Sequence, residues 1–269
     1  MTGPSFPSVE YVMRPIRFAM LMVLALPVAA LAKLPAHEAT AATANVATAL
    51  DDSARQADKA DDARRKVAAV MEFAQVKPGQ TVLELVPGSG YWTRVFSAIV
   101  GPSGHVYTVW PNEMAKFSAK SFANWQTLVA TPHYANVSLL QQPAASLTAP
   151  AAVDLVFTSQ NYHDYHDPFM GPVDIAAFDQ QVFASLKPGG LFVVIDHVAP
   201  AGSGIADTNT LHRIDPAQVK KEVQAAGFVF DGESAALRNP ADPHTAKVFD
   251  KSIRGHTDQF IYRFRKPAK

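Results

Sequence analysis

Residues 158–167 (TSQNYHDYHD) crowd together side chains that can move protons or hold cations: His163, Asp164, His166 and Asp167. An imidazole titrates near neutrality, so His163 is a candidate general base for a hydroxyl or amine. His166, and His197 at the end of a later apolar run, are the further candidate catalytic imidazoles. The same residue types are borderline metal ligands, and Asp196, His197 and His212 could join them around Zn²⁺, Mn²⁺ or Fe²⁺. The spacing matches no recognised metal motif, so no residue is assigned as a ligand. A structural alternative has both loop histidines hydrogen-bonding backbone ahead of Pro168.

A second chemical feature precedes that loop. Residues 81–85 (TVLEL) read as a buried strand, and Pro87, Gly88, Ser89 and Gly90 as a tight turn. Apolar residues at helical spacing follow over 93–100. A strand, a glycine turn and a helix make the ligand-binding corner of an open α/β sheet, where backbone and helix N-terminus approach the ligand. The dinucleotide fingerprint G-x-G-x-x-G fails, because Thr93 stands at its third glycine.

The elements that position these features alternate along the chain. Helical patterns are expected over 51–73, 114–128, 174–186 and from Asp215 to Ala226; strands over 81–85, 105–110, 137–140, 153–157, 191–197, from 227, and over 259–265. Alternation implies a parallel sheet, and the missing helix between the last two strands implies an antiparallel final pair. The fold class is therefore α/β: a Rossmann-like, doubly wound, seven-stranded, mostly parallel sheet with an antiparallel last strand.

Composition narrows the function. Hydrophobic residues make up 48% and charged residues 18%, enough apolar content for one full core. Net charge is zero and no basic stripe is present, so no nucleic-acid partner is expected. With no cysteine, disulfides and thiolate chemistry are excluded. Arg14 and Arg17 precede an apolar run ending in Ala30, Leu31 and Ala32, a signal-peptide pattern cleaved after Ala32. The domain reading is 1–32 signal peptide, 33–50 flexible linker rich in Ala and Thr, and 51–269 a single α/β domain. The chain is expected to be exported, to the periplasm, without a stable membrane span after cleavage.

The spacing Glu84-x-x-x-Gly88-x-Gly90, the Leu-Lys-Pro-Gly-Gly turn at 186–190 and the order of elements over 62–266 resemble the class I S-adenosylmethionine-dependent methyltransferases. The ending, with Arg238 and Arg254, resembles an exported bacterial group of predicted methyltransferases. The resemblance implies S-adenosyl-L-methionine as cofactor, a small-molecule acceptor, and contacts from Glu84, Pro87, Gly88, Ser89, Gly90 and Tyr91. Val86 replaces the family's usual first glycine, a branched side chain that could narrow the pocket. The family also expects an acid after the second strand. Here Asn112 or Glu113 must serve, and Trp110 could stack on adenine or belong to the core. By the same resemblance the loop after the fourth strand faces the methyl group, and Asn161 could contact cofactor or substrate. His212, Arg213, Arg238 and Arg254 are candidates for binding an anionic substrate group. The Asn/Asp-Pro-Pro-Tyr signature of base methylation is absent.

Overall fold

The computed structural model describes residues 45–268; the expected signal peptide and residues 33–44 of the expected linker lie outside them. Seven strands form one sheet in the order β3-β2-β1-β4-β5-β7-β6. They are β1 (Thr81–Leu85), β2 (His105–Pro111), β3 (Val137–Gln142), β4 (Val153–Ser159), β5 (Leu186–His197), β6 (Val229–Ser234) and β7 (Gln259–Arg265). β1 to β5 pair in parallel, and β7 runs antiparallel to both β5 and β6. Chain order reverses between β1 and β4, so their carboxyl ends open the crevice where such sheets bind ligands.

The central strands are buried on both faces: Val82, Leu83, Val156, Phe157, Val193 and Val194 are all within 1% of full burial. Each large apolar side chain withdrawn from water contributes about 1.5–3 kcal/mol. One face is covered by α2 (Val67–Ala74) and α3 (Tyr91–Val100), which the polar α1 (Lys59–Arg65) precedes. Val70, Met71, Val95, Phe96 and Ile99 supply its apolar stripe. The other face takes α6 (Ile175–Ser185) and α8 (Pro216–Ala225), through Phe178, Val182, Val219 and Val223. Asp174 and Asp215 cap these two helices by accepting from backbone N–H groups of their first turns.

Three expectations are corrected. Residues 45–50, assigned to the linker, are helical and bury Val46 and Ala49 in the core. The helix expected over 51–73 is a 3-10 turn (Ser53–Arg55) followed by α1 and α2, which break at Lys66 in the left-handed region (φ 50°). The helix expected over 114–128 is likewise two, α4 (Asn112–Phe117) and α5 (Ala119–Val129), separated at Ser118. The reorientation at Ser118 brings Trp125 of α5 onto Gly90, where any Cβ would collide with the indole.

The long connection from β6 to β7 carries neither helix nor strand. A buried ion pair ties it down. Arg213 follows the short α7 (Thr208–Leu211), and its guanidinium donates twice to Asp242 at 2.9 and 3.1 Å, both side chains being fully buried. Asp242 also accepts from the backbone N–H groups of His244 and Asp258, while Arg213 donates to the carbonyls of Val198 and Ala246. Arg213 is therefore a structural latch and not an open anion-binding group. Removing it strands a buried carboxylate, so Arg213→Ala should lower unfolding free energy by about 3–5 kcal/mol in urea titration.

Candidate functional site

A cavity of about 680 Å³ lies outside the carboxyl ends of β1, β4 and β5. Glu84, Val86, Pro87, Gly88, Ser89 and Tyr91 line one end. Gly88 holds φ 56° and a Cβ there would meet nothing within 4 Å, so the turn backbone borders open space. Gly90 does not line the cavity. Its glycine requirement comes from Trp125, which corrects the expected ligand contact.

Val86 occupies the left-handed region at φ 50°, which explains why glycine suits that position. A β-branched residue there is strained by about 1–3 kcal/mol. Gln160 (φ 64°) and His212 (φ 55°) are strained in the same way, and all three line this cavity. Strained backbone gathered around one cleft points to function.

Glu84 closes the floor. It is 2% exposed and accepts a hydrogen bond from the Thr93 hydroxyl. Burial pushes its carboxyl up to about 8, only partly offset by Thr93 and Arg94. Arg65 also lines the cavity and stacks over Tyr91, with its guanidinium carbon 4.4 Å from the ring centroid. Sequence reasoning missed Arg65, because only the packing of α1 on α3 brings it here. Buried carboxyl, half-buried guanidinium and open turn backbone together suit a zwitterionic amino-acid group.

Beyond β2 the placement differs from expectation. Trp110 is 1% exposed and packs edge-on against Phe122 in the core. Glu113 turns away to accept from Ala144 N–H, and Asn112 merely starts α4. None of the three lines the cavity; Met114 and Phe117 do. No carboxylate from this connection therefore lines the cavity.

The opposite wall carries the imidazoles. Asp196, fully buried at the end of β5, accepts from His163 N–H (2.9 Å) and His163 Nδ1 (2.8 Å). Burial opposes a charge on His163, but Asp196 and Asp164 outweigh it and raise its pKa to about 10. With Nδ1 committed to Asp196 and two carboxylates favouring its charged form, His163 is a weaker candidate for a free base than the sequence suggests. His197 is pushed down to about 4 by burial, and donates to or accepts from the Thr257 hydroxyl at 2.8 Å. His212 is lowered by burial and by the charge on His163. Asn161 lines the cavity and donates to Asp164 Oδ2 at 2.9 Å.

His166 lies elsewhere. Its Nε2 is 3.3 Å from the Glu222 carboxylate without an aligned hydrogen bond, and it does not line the cavity. Arg238 pairs with Asp258 at 2.8 Å and borders a separate cavity of about 330 Å³. Arg254 lines neither. Phe117, Phe169 and Phe249 form the mouth of the main cavity, the first and last being 75% and 56% exposed.

These shifts fix a pH profile for the metal-free protein. Glu84 and His163 have raised folded-state values, so their contributions are complete at low pH and fade as pH rises through about 8 and about 10 respectively. His197 works oppositely, costing stability as pH falls from its unfolded value through about 4. Melting temperature should peak between roughly pH 5 and 6.5. Glu84→Gln should flatten the decline between about pH 6.5 and 8; an unchanged slope there would assign it to other groups.

The Protein-L-isoaspartate(D-aspartate) O-methyltransferase family profile matches residues 30–141. A Protein-L-isoaspartate O-methyltransferase of Methanosarcina mazei is 31% identical over 140 residues, covering 51% of this chain and 47% of that protein. The ubiquinone/menaquinone biosynthesis C-methyltransferase UbiE of Ectopseudomonas mendocina is 27% identical over 195 residues, covering 70% and 64%. The chain thus spans less than two thirds of these curated relatives. A SAM-dependent methyltransferase from Aquifex aeolicus superposes with a TM-score of 0.52 at 18% identity, over 83% of this chain and 98% of that one. With this sheet order, an acidic residue and glycine turn after β1, and these likenesses, the chain has the fold of the class I S-adenosylmethionine-dependent methyltransferases.

Proposed function

We propose that the chain is an S-adenosylmethionine-dependent methyltransferase acting on a small, largely apolar acceptor. The observation carrying this is the single cavity that joins the Gly88 turn to an imidazole-bearing wall. Arg65, Glu84, Gly88, Ser89 and Tyr91 would hold the amino-acid end of the cofactor. When bound, that cofactor supplies an electrophilic methyl group on a sulfonium, which needs no acid to leave. The protein's part is then to align the acceptor's nucleophile with that carbon and to exclude water.

Met114, Phe117, Phe169 and Phe249 offer the acceptor an apolar mouth. His212, kept from protonation by burial and by the charge on His163, offers this wall an unprotonated imidazole nitrogen, whereas burial pushes the His197 pKa too low for a useful base and Asp196 and Asp164 hold His163 in its charged form. The missing carboxylate after β2 leaves ribose recognition to other groups, which favours micromolar rather than tighter affinity.

The expected export supplies the location in this reading. The basic residues, apolar run and small-residue site ending at Ala32 support it. Fractionation of the native cells should recover the chain, shortened at Ala32, from the periplasm; recovery of full-length chain from the cytosol would refute export.

Calorimetric titration with S-adenosylhomocysteine tests the cofactor site. Micromolar binding is expected, and a folded, ligand-free protein that binds none overturns the reading. Gly88→Val should abolish binding, since its side chain enters the cavity and φ 56° disfavours it. Arg65→Ala should lose about 1.5–3 kcal/mol, the worth of a charged hydrogen bond. Val86→Gly should tighten binding several-fold by removing a side chain and relieving strain.

A further inference from the structure

We propose that His163, Asp164, Asp167 and His212 form a site for one borderline divalent transition-metal ion, such as Zn²⁺ or Mn²⁺, in the acceptor wall of the cavity. One ligand atom from each of the four lies within 4.8 Å of the others. His163 Nε2 is 3.4 Å from His212 Nδ1 and 3.3 Å from Asp164 Oδ1, and the latter is 4.0 Å from His212 Nδ1. Ligands about 2.1 Å from a tetrahedral ion are about 3.4 Å apart, so these edges need little adjustment.

The second observation is Asp167. It is 1% exposed, and neither carboxylate oxygen has a hydrogen-bond partner. The adjacent Thr208 hydroxyl is the one side-chain donor within reach of it, and that single proton is shared with the Ile205 carbonyl. A buried carboxylate with at most one shared hydroxyl donor, facing two imidazoles, is costly unless a cation completes the group.

The surrounding hydrogen bonds are those of a metal centre. His163 Nδ1 is committed to Asp196 at 2.8 Å, which leaves Nε2 as the coordinating atom. Asn161 holds Asp164 by Oδ2, leaving Oδ1 turned to the imidazoles. An ion held there would compete with a proton for His163 Nε2. Two nitrogens and two carboxylate oxygens suit Zn²⁺ or Mn²⁺ better than Mg²⁺. The ion borders the cavity, where an acceptor oxygen could complete its coordination. That role, unlike the site, rests on the methyltransferase reading.

The test is calorimetric titration of Zn²⁺, Mn²⁺ and Mg²⁺ into chelator-stripped full chain without cofactor. One Zn²⁺ or Mn²⁺ per chain should bind, and Mg²⁺ far more weakly. His212→Ala and Asp167→Asn should each weaken binding at least about 100-fold. Co²⁺ should give visible bands of a tetrahedral site, lost in His212→Ala. His212 is partly exposed, so this variant decides the matter even if Asp167→Asn fails to fold. No saturable binding to folded wild type, or unaltered binding in both variants, overturns the site. S-adenosylhomocysteine titrated into the same stripped protein reports on the methyltransferase reading separately.

Discussion

The buried carboxylate of Asp196 is the constraint around which this site is built. It sits at the last turnings of β5 with no solvent to support its charge, and must be neutralised from within. Burial pushes its pKa up, yet the His163 imidazole and hydrogen bonds from His163 and His197 backbone hold it below the ordinary carboxylate range. That bonding pins the loop after β4 to the end of β5. It also fixes the imidazole orientation on which any chemistry of that wall depends.

The two ends of the cavity follow different physical logics. At the β1 turn, space and backbone conformation matter: Gly88 leaves room, and Val86 bears strain where glycine would bear none. At the imidazole wall, charge matters, and four protonatable groups share too little solvent to titrate independently. Their pKa values are driven apart, His163 upward and His197 downward, although the two rings are only 6.3 Å between centroids. Between them, the aromatic mouth keeps apolar surface facing solvent that a bound acceptor would cover.

The fold supports this division because the sheet is rigid and the connections are not regular. β1, β4 and β5 are pinned by parallel pairing and buried on both faces, so their carboxyl ends diverge by a fixed amount. The connection after β6 is held by the Arg213–Asp242 pair and by Asp258, which accepts from Arg238. Val248 N–H bonds to Leu211 carbonyl, so this connection brings Phe249 against His212 and completes the mouth.

The sequence by itself determined the order of strands and helices, the antiparallel last strand and the turn beneath the cavity. Those rest on local periodicity and turn chemistry, which act over a few residues. It also marked His163, His197 and His212, because imidazoles at the ends of buried strands are conspicuous, and Asn161 through the resemblance of its loop to that of the methyltransferases. Only the tertiary structure decided which of the marked residues meet. His166 shares a five-residue stretch with His163 but faces Glu222, since a 3-10 turn sends the two rings different ways. Arg213 and His212 are neighbours in the chain, yet one is a latch in the core and the other lines the cavity. Trp110, Asn112 and Glu113 follow β2 as the pattern requires, but core packing and a bond to Ala144 draw them away. Arg65 and Asp167 owe their places to contacts across distant elements, and no spacing in the chain encodes such contacts.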